Sequence, residues 1–330
     1  MMIRPKMHAL IVAAMLLMTV SCGIKNEYIV LRGYAQGGVY AVKINTEGVS
    51  VEPKAIQASV DSILREIDTT LSGYNPKSIL SRYNRGEKIT VTPMFREIYE
   101  ISKSYYEETG GALDVAAAPL YDAWGFGFSK DSLPSDAQVK ALMESCGMDM
   151  MPDSLGGESV GKLNYNAIAQ GYSCDLVAAY LYSIGVKDML VDIGEIYCDG
   201  LNPERTPWTI AVDRPTDGNE TPGADVVGTW HSNGGPCGIV TSGNYRKFYV
   251  RDGKKYAHTI DPRTGYPVSH NLLSATIVAR DATTADAYAT YCMVIGLDEA
   301  REFIQKRPDI EGYLVYDDNG TMRSWTSEGF

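Results

Sequence analysis

Asp286 and Thr290 sit in the run Asp281-Ala282-Thr283-Thr284-Ala285-Asp286-Ala287-Tyr288-Ala289-Thr290. Their spacing is i, i+4, so on a helix they share one face. A carboxylate beside a hydroxyl suits a hard cation such as Mg²⁺, which takes oxygen ligands and substrate phosphates. Upstream lies Thr241-Ser242-Gly243-Asn244-Tyr245, and then the turn-rich stretch Tyr256-Ala257-His258-Thr259-Ile260-Asp261-Pro262-Arg263-Thr264-Gly265-Tyr266-Pro267. Histidine titrates near neutrality and can take a proton from a reacting hydroxyl. Read singly, each residue also has a structural reading. Asp286 and Thr290 would bond to each other on a solvated helix face, and His258 would bond to its adjacent turn.

Two further stretches carry chemical potential. Gly110-Gly111-Ala112-Leu113-Asp114-Val115-Ala116-Ala117-Ala118-Pro119-Leu120 places a carboxylate among small apolar residues, where it must find donors. Alone it reads as a capped turn. Asn164-Tyr165-Asn166-Ala167-Ile168-Ala169-Gln170-Gly171-Tyr172-Ser173-Cys174-Asp175 reads as a strand end passing into a helix. Backbone N–H groups at such a helix start can hold an anion.

The elements that must position these groups alternate irregularly. Residues 28–35 and 38–44 read as a hairpin turning near Gln36-Gly37. Apolar residues at Ile56, Val60, Ile63, Leu64, Ile67 and Leu71 have helical spacing. Further helices are expected over 93–109, with Thr92 as cap and Pro93 first, and over 135–146, 171–184, 283–295 and 297–307. Strands are expected at 187–193, 208–212, 237–240, 245–251, 272–279 and 313–316, the last followed by an Asn319-Gly320 turn. No βαβ rhythm emerges. The expected class is α+β, with two intertwined lobes, mixed or antiparallel sheets and flanking helices.

Composition bounds the partners. Thirty Lys and Arg against 41 Asp and Glu give a net charge of −11, which argues against nucleic acid. A bound polyphosphate then needs a cation or a local donor array. Arg4 and Lys6 precede an apolar run ending at Met18, followed by Thr19-Val20-Ser21-Cys22-Gly23. The run is too short to span a membrane and has the length of a signal-peptide core. Its end resembles a bacterial lipoprotein signal, with cleavage before Cys22 and lipid on its sulfur; the alternative is a plain cleaved signal. Residues 1–21 are therefore expected to be a leader, 22–27 the lipidated Cys22 and a tether, and 28–330 one catalytic domain facing the periplasm. No later segment is expected to span a membrane. The remaining cysteines are Cys146, Cys174, Cys198, Cys237 and Cys292. Their wide spacing lacks a C-x-x-C pair and argues against zinc. Disulfides are compatible with export, but spacing does not pair them.

Taken together, seven stretches resemble the ApbE family of FAD:protein FMN transferases, in the family's order. They are residues 71–84 (LSGYNPKSILSRYN), 111–120, 167–175, 191–195 (VDIGE), 241–243, 258–267 and 285–290. The resemblance covers the chain from about Tyr28 onward. It implies FAD bound in a cleft between two lobes, with Mg²⁺ on the pyrophosphate. Asp286 and Thr290 would ligate the metal by side chain, and Ala167 by its carbonyl. A Ser or Thr hydroxyl of an acceptor protein would attack the FMN phosphorus, AMP would leave, and His258 would take the proton. The resemblance places Tyr74 against the flavin, Asp114 toward the nucleotide half, and Ser78, Gln170, Thr241, Ser242 and Gly243 among the cofactor-binding residues. Expected acceptors are subunits of Rnf- or Nqr-type complexes or other exported redox proteins. Where the family carries Lys after Ile-Ala, this chain has Gln170; Gly37-Gly38 replaces a usual Gly-Thr. Two other readings stay open: hydrolysis of FAD to FMN and AMP at the same site, and a non-catalytic flavin-binding lipoprotein.

Overall fold

The computed structural model describes residues 27–128, 133–216, 218–219, 221, 223–244, 248–251 and 254–330. The leader, Cys22 and the tether to residue 26 lie outside them. The strands are β1 (Tyr28–Ala35), β2 (Gly38–Asn45), β3 (Met189–Asp192), β4 (Ile196–Asp199), β5 (Thr209–Asp213), β6 (Val226–His231) and β7 (Cys237–Gly243). They continue with β8 (Phe248–Arg251), β9 (Lys254–Ala257), β10 (Ile260–Asp261), β11 (Tyr266–Pro267), β12 (Leu272–Ala279), β13 (Glu311–Asp318) and β14 (Thr321–Thr326). The helices are α1 (Pro53–Leu71), α2 (Ile79–Asn84), α3 (Pro93–Glu108), α4 (Ala118–Ala123), α5 (Asp136–Met143), α6 (Ala169–Ser183), α7 (Ala282–Ile295) and α8 (Leu297–Gln305).

One eight-stranded sheet runs β1-β2-β3-β4-β7-β12-β13-β14, and every neighbouring pair is antiparallel. The α+β expectation holds, and both halves of the chain contribute to this sheet. Register fixes its faces, because side chains alternate with a period of two. Val42 pairs with Val191, Val191 with Tyr197, and Tyr197 with Gly238. These positions share the face of Val240 and Ser242, which carries the helices. Leu190, Cys198, Cys237, Ile239 and Val278 occupy the other face, covered by Trp208, Ile210 and Trp230 of the β5–β6 hairpin.

The helices form for local reasons. Helix α1 starts at Pro53 and buries Ile56, Val60, Leu64, Ile67 and Leu71 on one stripe. Each such side chain contributes roughly 1.5–3 kcal/mol relative to exposure. Thr92 caps α3 by accepting the Phe95 N–H, with Pro93 first. Ser135 and Gln138 make a capping box at α5. The Asn319-Gly320 turn joins β13 to β14 with both residues at positive φ, as a two-residue hairpin requires. Among the described residues, no helix is long and apolar enough to cross a membrane.

One expectation fails locally. Residues 163–168 form no strand; they are extended and then turn, and Asn164 donates its N–H to the Val115 carbonyl. Helix α6 begins at Ala169, two residues before the expected start. The alternation Leu163, Tyr165 that resembles a strand arises because both side chains are buried in the main core.

Candidate active site

The site grows from the junction of α6 and α7, where each helix holds the start of the other. Asp175 of α6 accepts the Ala282 N–H at 2.9 Å and the Thr283 N–H at 2.8 Å, and the Thr283 hydroxyl as well. Asp281 caps the same helix end through Thr284 N–H at 2.7 Å. In return, Asp286 of α7 accepts the Gly171 N–H of α6 at 3.0 Å. Unpaired N–H groups and the helix dipole make such starts favourable for carboxylates. Two glycines permit the approach: a Cβ on Gly171 would lie 2.2 Å from the Ala282 carbonyl oxygen, and one on Gly238 of β7 2.3 Å from Ala282 Cα.

Asp286 is buried, only 4% exposed, and Asp175 is partly buried. This corrects the expectation of an accessible helix face: α7 is apolar almost all round, because α6, β7 and β12 enclose it. Burial pushes the Asp286 carboxyl up to about 8, opposed by the Gly171 N–H and reinforced by the charge of Asp175. Burial likewise pushes Asp175 up to about 6, against its bonds to α7. Two desolvated carboxylates at one junction favour a cation. Residues that could hold Mg²⁺ are the Asp286 carboxylate, the Thr290 hydroxyl one helical turn on, and the carbonyl of Ala167 in the turn that leads into α6, whose Gly171 N–H bonds Asp286. Among the described residues, no group of three or more His, Cys, Asp or Glu could hold a metal alone.

Strand β7 carries the second wall. Ser242 Oγ lies 3.3 Å from Thr290 Oγ1. Gly243 follows, and Asn244 accepts a 2.7 Å bond from the Thr259 hydroxyl. His258 is the neighbour of Thr259, so this bond ties it to the end of β7 that meets Thr290. Thr241 is not part of the wall. Its register places it on the opposite sheet face, where it bonds Thr276 at 2.8 Å.

An aromatic strap, Trp124-Gly125-Phe126-Gly127-Phe128, joins His258 to Tyr74. Trp124 donates to the Gly265 carbonyl at 2.7 Å. Phe126 meets the His258 ring at 6.4 Å between centroids, and Phe128 meets Tyr74 edge-on at 5.1 Å. Tyr74 is 67% exposed, and its hydroxyl accepts from Asn166, next to Ala167. An exposed ring buttressed from behind offers a stacking face.

Three expected cofactor residues have other employment. Ser78 is fully buried; it caps α2 and donates to the Ser72 carbonyl at 2.6 Å. Asp114 accepts the N–H groups of Ala116, Ala117 and Met148; burial raises its carboxyl above the ordinary range, and these bonds partly oppose that push. Gln170, on the first turn of α6, donates to the Ile193 carbonyl at 3.2 Å, against Gly194. Asp175 and the 124–127 stretch also belong to the site, and sequence reasoning assigns neither a role. The signals were present: an acidic residue on the α6 face, and aromatics alternating with glycine.

Fold and site define an α+β enzyme with oxygen donors gathered where two helices meet the sheet. Residues 37–314 match the ApbE family, and the chain belongs to it. It is 31% identical to the FAD:protein FMN transferase of Haemophilus influenzae, over 96% of this chain and 95% of the relative. It is 30% identical to that of Escherichia coli, over 92% and 88%. The solved flavin transferase ApbE of Vibrio cholerae superposes with a TM-score of 0.77 at 30% identity, covering 92% of this chain and 98% of that one. The flavinyl transferase ApbE of Pseudomonas stutzeri gives 0.79 at 28% identity, covering 92% and 95%. The expectations of an ApbE member, an α+β fold and a flavin transferase are borne out.

Proposed function

We propose that the chain transfers FMN from FAD to a Ser or Thr hydroxyl of an acceptor protein, with Mg²⁺ and with release of AMP. The observation that carries this reading is the buried Asp286 carboxylate, one helical turn from Thr290 and bonded to the Gly171 N–H in the first turn of α6. When bound, Mg²⁺ would supply positive charge to offset the charge that develops on the phosphates. Asp286, Thr290 and the Ala167 carbonyl would hold it. His258, tied to the end of β7, accepts the proton of the attacking hydroxyl. Tyr74 would offer its exposed face to the flavin ring, and Ser242 and Gly243 would lie along the cofactor. Positioning and charge neutralisation are what phosphoryl chemistry of this kind asks of a protein.

The setting belongs to the same reading. Lipidation at Cys22 would hold the protein at the cell envelope, facing the periplasm, beside acceptors such as Rnf- or Nqr-type subunits. The net charge of −11 argues against nucleic acid as a partner. Gln170 keeps one alternative open, hydrolysis to FMN and AMP with water in place of the acceptor hydroxyl, because a neutral donor holds phosphate less strongly than the Lys the family carries there.

The test mixes the chain from residue 23 onward with FAD, Mg²⁺ and an acceptor domain, reading FMN on the acceptor by mass spectrometry and AMP by chromatography. Labelled acceptor with AMP supports transfer. AMP and free FMN with an unlabelled acceptor support hydrolysis. Bound FAD with neither product overturns both.

A further inference from the structure

The eight-stranded sheet has one narrow seam. Strands β1–β4 make one half and β7, β12, β13 and β14 the other. The halves join only where Ile196 pairs with Ile239, Tyr197 with Gly238, and Cys198 with Cys237, the shortest ladder in the sheet. At its last pair stand two cysteines directly opposite each other. Their sulfurs are 3.5 Å apart, on the sheet face covered by Trp208, Ile210 and Trp230. Among the described residues, no other two cysteine sulfurs come within hydrogen-bond distance.

Directly opposed residues of an antiparallel pair have Cα separations of about 4.5–5.5 Å, within the range a disulfide spans. Small side-chain rotations close the remaining gap. We propose that Cys198 and Cys237 form a disulfide under oxidising conditions, a covalent staple across the seam between the two halves of the sheet. The bond would close a loop of about forty residues that contains the β5–β6 hairpin, and loops of that size gain substantially from closure. It would also fix β7, whose far end carries Ser242 and Gly243, against β4, which follows the Ile193–Gly194 turn that receives Gln170.

Formation is a balanced exchange. The two thiols lose two protons and two electrons, and one S–S bond forms. A disulfide oxidant, protein or small molecule, takes both electrons as its own S–S bond breaks to two thiols. Export would supply such an oxidant; the geometry does not depend on export. Bonding to Cys237, then burial, pushes the folded Cys198 thiol well up. The thiolate is the reacting species, so the bond forms while the chain folds, before the hairpin covers it.

The test uses the chain from residue 23 onward, which holds every described element. It is refolded with reduced and oxidised glutathione, alkylated in denaturant, digested without reduction and mapped by mass spectrometry. The expected result is a linked Cys198–Cys237 peptide pair, with Cys146, Cys174 and Cys292 alkylated. Alkylation of all five, or linkage of either residue to another cysteine or to glutathione, overturns the proposal. The oxidised chain should melt about 5 °C or more above the reduced one, and the gap should vanish in the C198A/C237A double variant. A linked pair that melts no higher than the reduced chain overturns the stapling role; should the double variant not fold, the peptide map decides. Neither readout needs FAD, Mg²⁺ or an acceptor, so failure here is separate from failure of the transfer reading.

Discussion

The two ends of the site are built by opposite means. At the α6–α7 junction, small residues bring three backbones into contact, and the carboxylates of Asp175 and buried Asp286 lock the helix starts to one another. At the other end, Tyr74 and His258 stand half or largely exposed on loops and are steadied by rings of the 124–128 strap. The first arrangement has little freedom to adjust, because close-packed backbones yield poorly. The second can re-seat a ring at small cost. Changes at the junction should therefore cost stability and activity together, whereas changes at the rim should cost activity alone.

The largest effect is expected at the junction. Asp286→Asn should lower Mg²⁺-dependent turnover on the order of 10³-fold, because metal stabilisation of phosphoryl charge is worth several kcal/mol. The variant should fold, and its metal-free form should respond differently to pH. Asp286 and Asp175 are held above their ordinary 3.8, to about 8 and about 6, chiefly by burial. A carboxyl with a raised folded pKa contributes stability that is full below its unfolded value and is lost as pH rises through the folded one. Metal-free wild type should thus melt progressively lower as pH rises from 3.8 toward about 8. Asp286→Asn should flatten the upper part of that slope. An unchanged slope in thermal melts with EDTA would remove the buried-charge account.

Gly171→Ala tests the junction without removing a charge, though its methyl would also press on Asp286 Cβ at 2.9 Å. Its methyl would meet the Ala282 carbonyl at 2.2 Å, which should destabilise by about 1–3 kcal/mol. Chemical denaturation and turnover should fall together. Lost stability with full turnover would show that the helix approach does not set the site.

His258→Ala probes the rim. Proton transfer contributes about 10²–10⁴-fold, so kcat should fall by that factor while FAD affinity and melting temperature stay near wild type. Phe126→Ala removes the ring behind His258 and should cost about tenfold in kcat, with little change in KM for FAD. If either rim variant melts far lower than wild type, the contrast between the two ends fails.

How far the sequence reveals this site follows the same division. Asp286 and Thr290 were legible because helical spacing puts them on one face, and His258 because its motif is turn-rich. The hairpin, α1 and α3 were legible from period and caps. Burial of Asp286 was not, because it depends on Gly171 and Gly238 approaching from elements 115 and 48 residues away. Thr241 adjoins Ser242 in sequence, yet strand alternation sends it to the other face. Ser78 and Asp114 look available in one dimension and prove to be local caps. Which polar groups are occupied depends on long-range partners, and spacing does not carry that information.

The smallest expected effect lies where the two ends meet. Gln170 sits on the first turn of α6, and its amide donates to the Ile193 carbonyl beside Gly194. Gly194 takes φ +94, and its missing side chain leaves the room Gln170 occupies. Gln170→Lys adds a charge on the same short path. A charged donor to phosphate is worth about 1 kcal/mol more than a neutral one, or roughly fivefold in rate. Labelling of an acceptor should therefore rise about fivefold while release of free FMN does not, with melting temperature unchanged. A gain in free FMN would place the added charge where it helps water as much as the acceptor hydroxyl. No gain in either product would mean that the Ile193 carbonyl holds this side chain away from the phosphates, and that position 170 belongs to the junction rather than to the chemistry.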